Sequence, residues 1–180
     1  MSPVVQSEIR VHVIQGECRI SADPQVLLTT TLGSCIAACI HDPVARVGGM
    51  NHFLLPEGDG VTGPMASRYG GYAMESLINE LLKAGAVRGR LEAKLFGGGR
   101  LTDSSIDIGQ KNAAFATAFL SREGVEEAPG SLGGDYARRI QFWPYSGRVR
   151  QLTLARRSEA VPMRPERLRK LDTHGGLELF

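Results

Sequence analysis

The sequence predicts a layered α/β (α+β) sandwich with mixed β-sheets and two main helices. Short apolar or alternating runs recur along the chain, and two longer segments repeat their apolar residues at helical spacing. The two kinds of segment are interleaved, as expected when helices pack on sheets. A chain of 180 residues, 42% of them hydrophobic, can bury one ordinary core, which predicts one domain.

The predicted strands dominate the first 56 residues. Ile9, Val11 and Val13 alternate with polar residues, which is typical of a half-buried strand. The runs VLLTTTL and IAACI are short enough to be extended as well. Further along, LEAKLFGGG alternates before its glycines, and RRIQFWPYSGRVRQLTL predicts two strands joined at residues 144–147.

The first predicted helix lies in RYGGYAMESLINELLKAGA, where Gly85 gives a stop signal. Its apolar stripe has the spacing i, i+3, i+4, i+7, i+8 and consists of Met74, Leu77, Ile78, Leu81 and Leu82. The second predicted helix lies in DIGQKNAAFATAFLSREG. Asp107 and Gln110 have capping-box spacing there, and Gly124 closes the far end. Asn112 falls on its apolar stripe, which predicts a structural, hydrogen-bonded amide.

Composition sets the domain boundary and the environment. We assign residues 1–155 to the single domain and residues 156–180 to a loosely attached tail, which is rich in arginine and lacks a sustained period. The net charge of +2 gives no reason to expect a nucleic-acid partner. With no signal-like leader and no run of about 18 apolar residues, we expect a cytoplasmic protein without membrane insertion.

The stretch TTTLGSCIAACIHDPVARVGGMNHFLLP carries the candidate chemistry. If the chain turns at HDPVAR, paired residues sum to about 88, and Cys35 lies opposite residue 53, one place from His52. A bulge at Gly48–Gly49 would absorb that offset. An adjacent imidazole lowers the pKa of a thiol and can return the proton to a leaving group. Cys35 and His52 are therefore a candidate nucleophile and base.

Two further groups are candidates for supporting roles. The backbone N–H groups of the turn at Gly33 and Ser34 could stabilise an oxyanion. A hydroxyl from the threonines just upstream could orient the imidazole. In an extended segment Thr29 and Thr31 share one face and Thr30 lies on the other, which favours the odd pair.

Two alternatives stay open on spacing alone. Cysteine is among the residues most often buried, so Cys35 could be a small core residue near an unrelated histidine, as expected for Cys18 and Cys39. A zinc site could use the C-x3-C spacing with two histidines: Cys35, Cys39, His41 and His52. In a strand, however, residues 35–41 extend up to about 20 Å, too far for one ion. We expect neither a metal nor a cofactor.

Seven blocks, in order from about Ile9 to Leu154, together resemble the CheD family of bacterial chemoreceptor glutamine deamidases. The blocks are TLGSCIAACIHDP, GGMNHFLLP, RYGGYAMESLINELLKAGA, LEAKLFGGGR, IGQKNAAFATAFLSREG, LGGDYARR and FWPYSGRV. The resemblance implies a layered cysteine-hydrolase architecture, similar to the catalytic domain of glutamine-deamidating cytotoxins.

The resemblance also implies residue roles. The nucleophile of the LGSC motif falls on Cys35, and the histidine seventeen residues later falls on His52. The family's threonine, six positions before the cysteine, falls on Thr29 and would orient the histidine. The implied enzyme is a cysteine-dependent protein-glutamine glutaminase that converts receptor glutamines to glutamate through a thioester and releases ammonia. Receptor methylesterase activity is a chemically close side reaction.

The partners implied by the resemblance are the cytoplasmic helices of methyl-accepting chemotaxis receptors and the phosphatase CheC. The alternative function is a non-catalytic adaptor that binds the same receptors and CheC. A Cys35→Ala variant separates the two, because an adaptor would keep its effect without the thiol.

Overall fold

The computed structural model describes residues 7–55, 64–103, 106–154 and 176–180. Its helices are α1 (Pro64–Lys83), a short 3-10 helix (Arg88–Arg90) and α2 (Ile108–Glu123). Its strands are β1 (Ile9–His12), β2 (Cys18–Ser21), β3 (Val26–Leu32), β4 (Ile36–Asp42), β5 (Val47–Asn51), β6 (Glu92–Gly97), β7 (Glu126–Glu127), β8 (Ser131–Leu132), β9 (Ala137–Trp143), β10 (Arg148–Leu154) and β11 (Leu177–Leu179).

The strands form two mixed sheets, which confirms the predicted fold class. The outer sheet has the order β1-β3-β9-β10-β11, with β1 and β3 parallel. The central sheet has the order β2-β5-β4-β6-β7, and β8 also pairs with β6. Among the described residues no helix is long and apolar enough to cross a membrane.

The central sheet is covered on both faces. Leu28, Ile140 and Phe142 of the outer sheet pack against Met50 and Phe96 on one face. Residues of both helices pack on the other face together with β4 and β6: Ile36, Ile40, Leu95, Met74, Leu77, Leu81, Phe119 and Leu120. All seven residues of β4 are consequently buried, which explains why IAACI is a continuous apolar run and does not alternate.

The helices confirm the predicted periodicity. The α1 residues Met74, Leu77 and Leu81 are fully buried against the central sheet. Helix α1 begins earlier than its apolar stripe, at Pro64, a residue well suited to the first helical position. In α2 the side chain of Asp107 accepts a hydrogen bond from the backbone N–H of Gln110, 2.9 Å away.

The C-terminal end of the predicted tail requires a correction. Strand β11 pairs antiparallel with β10, so the outer sheet includes the last residues of the chain. The Phe180 ring makes an edge contact with Phe96, 5.3 Å between centroids, and its backbone exchanges two hydrogen bonds with Val149. In the sequence, Phe180 follows a segment rich in charged residues, which is why its contact with the core was not predicted. The rest of the tail, residues 156–175, lies outside the described residues.

Candidate functional site

The β4–β5 hairpin brings Cys35 and His52 to one end of the central sheet. Ile36 and Phe53 exchange two backbone hydrogen bonds of 2.9 Å there, and each candidate residue directly precedes one member of this bridge. In this register His52 lies opposite Ala37, which belongs to the cluster between the sheets. Cys35 packs against the same cluster. Both side chains therefore share the face of the hairpin that looks toward the outer sheet.

The register of the hairpin differs by one residue from the expectation. Gly48 pairs with His41 and Gly49 with Ile40, in consecutive register. The expected bulge at Gly48–Gly49 is therefore absent from this described ladder. A Cβ atom added to Gly48 would lie 2.6 Å from the carbonyl oxygen of Pro144, so the glycine at this position allows close packing of the outer sheet.

The ladder opens just before His52. The side-chain Oδ1 of Asn51 accepts the Ala38 N–H at 3.0 Å, where a backbone carbonyl would be expected to accept it. The backbone of His52 pairs instead with the turn before β2, since His52 N–H donates to Glu17 O and Gly16 N–H donates to His52 O. The catalytic candidate is thus held through its main chain on the side away from β4.

The imidazole of His52 has a defined hydrogen-bond arrangement. Thr30 Oγ1 lies 2.9 Å from His52 Nδ1 and donates its own proton to Val13 O at 2.7 Å. A hydroxyl has one proton, so Thr30 accepts from Nδ1–H, which leaves an electron pair on Nε2. The buried Nε2 has no hydrogen-bond partner in the described part of the chain. A general base needs a nitrogen with a free electron pair of this kind.

The expectation that Thr29 contacts His52 is not met. Thr29 Oγ1 donates to Ile140 O at 2.9 Å, within the outer sheet. On β3, Leu28 and Leu32 pack between the sheets, and Thr30 shares their face because side chains alternate along a strand. The threonine at the imidazole is therefore Thr30, one position later than the family spacing implies.

The Cys35 thiol is half-buried and does not contact His52 through a hydrogen bond. It donates to Gln15 Oε1, 3.6 Å from the sulfur. Burial raises the pKa of the thiol, and the nearby N–H of the same residue only partly offsets this. Burial therefore favours the neutral form of the thiol, whereas the sequence suggested a thiol with a lowered pKa.

Burial also favours the neutral form of His52. It lowers the pKa of the imidazole, the Val13 carbonyl raises it in part, and the charge of His12 lowers it further. A neutral thiol and a neutral imidazole can react once the proton of the thiol passes to Nε2. The arrangement suits a cysteine nucleophile that is activated by its base during the reaction.

The turn that carries Cys35 is fixed through its carbonyl groups. Gly33 O accepts from Gly99 N–H at 2.8 Å, and Ser34 O accepts from Asn112 Nδ2 at 2.8 Å. The C=O and N–H of a trans peptide point in opposite directions. The N–H groups of Ser34 and Cys35 therefore point away from these partners, as an oxyanion site at this turn requires.

Two glycines allow β6 to approach the turn. A Cβ on Gly97, which has a φ of 108°, would lie 2.0 Å from the Cys35 carbonyl oxygen. The following Gly98 donates its N–H to that oxygen at 2.9 Å. Only glycine combines this backbone conformation with this close contact, so the predicted glycine turn after β6 also positions the cysteine.

Asn112 connects the two halves of the site. It is fully buried on α2, and its Oδ1 accepts from Leu55 N–H at 3.1 Å while its Nδ2 donates to Ser34 O. One amide therefore holds both the segment before Cys35 and the segment after His52. Asn112 therefore has the structural role expected for it, and it supports the backbone on which the site is built.

The residues of the zinc alternative do not come together. Cys39 is buried in the cluster between the sheets. His41 contacts Tyr145 O at the opposite end of β4. Over the ranges that the structure describes, no group of three or more histidine, cysteine or acidic residues has metal-binding geometry.

Sequence reasoning missed two neighbours of the site. Thr30 is one of three consecutive threonines, but the alternation of the strand was interpreted in favour of Thr29 and Thr31, which lie on the other face. Gln15 gave no signal, because an exposed glutamine in a polar turn is unremarkable in a sequence. Its position over Cys35 arises only from the pairing of its turn with His52.

Comparison with known proteins gives consistent matches. A family model described as CheD chemotactic sensory transduction matches residues 54–153. A probable chemoreceptor glutamine deamidase CheD of a Caulobacter species is 56% identical, with 96% of this chain and 93% of that protein covered. A protein of the same name from Caulobacter vibrioides is 61% identical, with coverage of 82% and 79%.

Among solved structures, a Neisseria meningitidis protein of the DUF152 family model has a TM-score of 0.47 and 10% identity. The match covers 71% of this chain and 65% of that one. The family-model match begins after both Cys35 and His52, whereas the alignment with the first Caulobacter relative covers nearly the whole chain.

Proposed function

This chain belongs to the CheD family, and from that premise we propose that it is a glutamine deamidase acting on chemoreceptors. The observation that supports the proposal most directly is the state of His52. Its Nδ1 is held by Thr30, and its Nε2 is left without a partner at the end of the hairpin that carries Cys35. A structural histidine buried to this degree would be expected to use both nitrogens.

The reaction begins with proton transfer. His52 Nε2 takes the proton of the Cys35 thiol, and the sulfur attacks the carboxamide carbon of a glutamine side chain. The N–H groups of the turn at Ser34 and Cys35 receive the negative charge that develops on the oxygen. His52 then gives the proton to the departing nitrogen, which leaves as ammonia.

Hydrolysis of the thioester completes the cycle. His52, neutral again, removes a proton from water, which attacks the thioester carbon and releases glutamate and the thiol. A methyl ester at the same position would follow the same course with methanol as leaving group. Methylesterase activity is therefore a side reaction of the same site.

Thr30 positions the base. Its oxygen accepts from Nδ1–H and stabilises the imidazolium that forms in both steps, while its own O–H keeps donating to Val13 O. This assigns to Thr30 the role that family spacing gives to Thr29. Because Thr30 is buried, its hydrogen bond is shielded from water.

The proposed substrate lies on the cytoplasmic helices of chemotaxis receptors. Each deamidation adds a negative charge to a receptor helix and creates a glutamate that can be methylated. Binding of a CheC-type phosphatase would connect this activity to adaptation, and it belongs to the same proposal.

Mass spectrometry of a purified receptor cytoplasmic fragment tests the function. Incubation with the protein is expected to add about 1 Da at specific glutamines, with release of one ammonia for each. Cys35→Ala should abolish both signals, whereas Cys18→Ala, a change at another half-buried cysteine, should keep them. An unmodified fragment, or a Cys35→Ala variant that retains full effect on chemotaxis, would favour the adaptor.

A further inference from the structure

The Gln15 side chain is the direct polar neighbour of the Cys35 thiol. Its Oε1 lies 3.6 Å from the sulfur and accepts the S–H. Gln15 is exposed, so it has no need of an internal partner to compensate for burial. A carboxamide is also the functional group that the proposed substrate presents, so the chemistry of this contact bears on the site.

The turn that carries Gln15 is attached to His52. Gly16 N–H donates to His52 O at 2.7 Å, and His52 N–H donates to Glu17 O at 3.1 Å. A further hydrogen bond of 3.0 Å from Glu17 N–H to Ile14 O closes the turn. Gln15 therefore stands on backbone that is fixed to the catalytic base, and its side chain is exposed.

Proton transfer from the thiol to His52 changes which end of the Gln15 carboxamide is favoured next to the sulfur. While the thiol carries its proton, the oxygen of Gln15 is the group that faces it. Once His52 has taken the proton, the negative sulfur repels that oxygen and attracts an N–H donor. A half-turn of the amide exchanges its oxygen and nitrogen at almost the same positions, so a donor comes to lie where the oxygen was.

We propose that Gln15 is a catalytic residue of the deamidase, whose side-chain N–H donates to the oxyanion formed when Cys35 attacks the substrate carboxamide. A carbonyl carbon under attack lies about 3 Å from the nucleophile, and an oxyanion donor must lie about 3 Å from the oxygen. A group already 3.6 Å from the sulfur is within that reach. No bond of Gln15 forms or breaks, and the proton of the thiol stays with His52.

The inference rests on the proposed function and adds a second kind of donor to the site. The backbone N–H of Cys35 lies close enough to its sulfur to lower the pKa of the thiol in part. Gln15 reaches the same sulfur from the turn before β2. The two donors come from different elements, one from the turn before β4 and one attached to His52, and they converge at the reacting atom.

Two reactions of the same thiol separate this role from a structural one. Deamidation develops an oxyanion, whereas alkylation of a thiol by iodoacetamide is a direct displacement that develops none. In Gln15→Leu, ammonia release from a receptor cytoplasmic fragment should fall by about 10²-fold in kcat with a smaller change in KM. The rate at which iodoacetamide labels Cys35 should stay within about threefold of wild type, since the thiol and His52 remain.

The matched control is Gln110→Leu, an equal change at an exposed glutamine on α2. It should alter neither reaction. Equal loss of deamidation and alkylation in Gln15→Leu would overturn the inference, since it would indicate a displaced thiol. Unchanged deamidation would overturn it as well.

Two further outcomes are distinguishable. A gain of about 1 Da at Gln15 in the wild type, absent from Cys35→Ala, would make Gln15 a substrate of its own site and would overturn its role as donor. A wild-type protein that leaves the receptor fragment unmodified would overturn the proposed function itself, whereas a defect confined to the variant concerns Gln15 alone.

Discussion

The two ends of β4 differ in how completely their buried polar groups are hydrogen-bonded. At the hairpin turn the Asp42 carboxylate is fully buried and accepts two contacts at 3.1 Å and one at 2.8 Å from the Arg90 guanidinium. Its remaining capacity is filled by backbone N–H groups of Val44, Ala45 and Val87. At the other end, Cys35 makes one long hydrogen bond and His52 Nε2 makes none in the described chain. The buried polar groups are fully hydrogen-bonded at the turn, and they are incompletely hydrogen-bonded at the end for which we propose the chemistry.

Two histidines make this contrast specific. His41 and His52 are buried to nearly the same extent, 8% and 7% exposed, and burial lowers the pKa of both. His41 Nε2 donates to Tyr145 O at 3.3 Å, and its ring packs on Gly147. His52 keeps its proton on Nδ1 and its Nε2 free. Burial alone therefore does not distinguish the two histidines, whereas the unpaired Nε2 of His52 does.

Replacement of the two histidines should give the largest difference. His52→Gln removes the base and should lower kcat for deamidation by about 10³-fold or more, near the upper range for general acid–base groups. His41→Gln should leave kcat within about twofold, because His41 lies near the β4–β5 turn, at the opposite end of β4 from Cys35. Ammonia release by each purified variant measures the effect. A similar loss of kcat in a folded His41→Gln protein would contradict the contrast.

Asp42 should show the reverse pattern, a large effect on stability and none on catalysis. Asp42→Ala removes the only fully buried member of the ion pair and leaves three N–H groups without their acceptor. Because the side chain of Arg90 is 37% exposed, the loss should lie near the lower limit for broken buried pairs, about 3 kcal/mol. Urea unfolding measures it, and kcat of the folded fraction should not change.

The acid dependence of the same carboxyl gives a second measurement. Burial alone raises the pKa of Asp42, but the hydrogen bonds from Arg90 and the backbone outweigh it and hold the pKa well below its usual range. A lowered folded-state pKa gives stabilisation that is complete above the unfolded value near 3.9 and is lost as the pH falls below it. Between about pH 5 and about pH 3, Asp42→Asn should therefore lose less unfolding free energy than wild type. Equal losses would contradict the role of this carboxylate.

These two regions also differ in how well the sequence predicts them. The hairpin turn, the ends of α2 and the proximity of Cys35 to His52 follow from local patterns, since periodicity and turn residues act over a few positions. Local patterns do not predict which face of β3 points toward the central sheet. Leu27 and Leu28 are both fully buried, so the alternation of side chains cannot choose between the two faces. Only packing against the central sheet decides that Thr30 points inward.

Other features depended on contacts that are distant in sequence. The anchoring of Phe180 on Phe96 joins residues more than eighty positions apart, and no local pattern encodes it. The contact of Gln15 with Cys35 requires the turn before β2 to pair with the end of β5, a pairing that side-chain alternation does not reveal. The placement of Cys35 and His52 at one end of the hairpin was predictable, but the groups that surround them were not.

The consecutive threonines should separate positioning from packing at the reactive end. Thr30→Ala removes the partner of His52 Nδ1 and should lower kcat by about 10-fold to 10²-fold, the range for groups that orient a catalytic residue. Thr30→Ser keeps the hydroxyl and should restore most of the rate. Thr29→Ala loses only its hydrogen bond to Ile140 O, so it should cost about 1 kcal/mol of stability and little activity.

Steady-state kinetics with a receptor fragment measures these variants, and circular dichroism checks that they are folded. A greater loss of kcat in Thr29→Ala than in Thr30→Ala would return the orienting role to the position that family spacing implies. Failure of Thr30→Ser to recover activity would indicate that the methyl group, and not the hydroxyl, supports the ring.

The smallest expected effect is a displacement of the acid limb of activity. Only neutral His52 can take the thiol proton, so kcat/KM should fall as the pH drops through the pKa of this imidazole. Burial lowers that pKa, and the charge of His12 lowers it further, so the midpoint should lie below the ordinary histidine value of about 6.5. His12→Ala removes the repulsion and should move the midpoint toward higher pH. Since His12 is exposed, added salt should screen its charge and reduce the difference between variant and wild type. A midpoint that moves to lower pH in His12→Ala would show that this neighbour does not act on His52 through its charge.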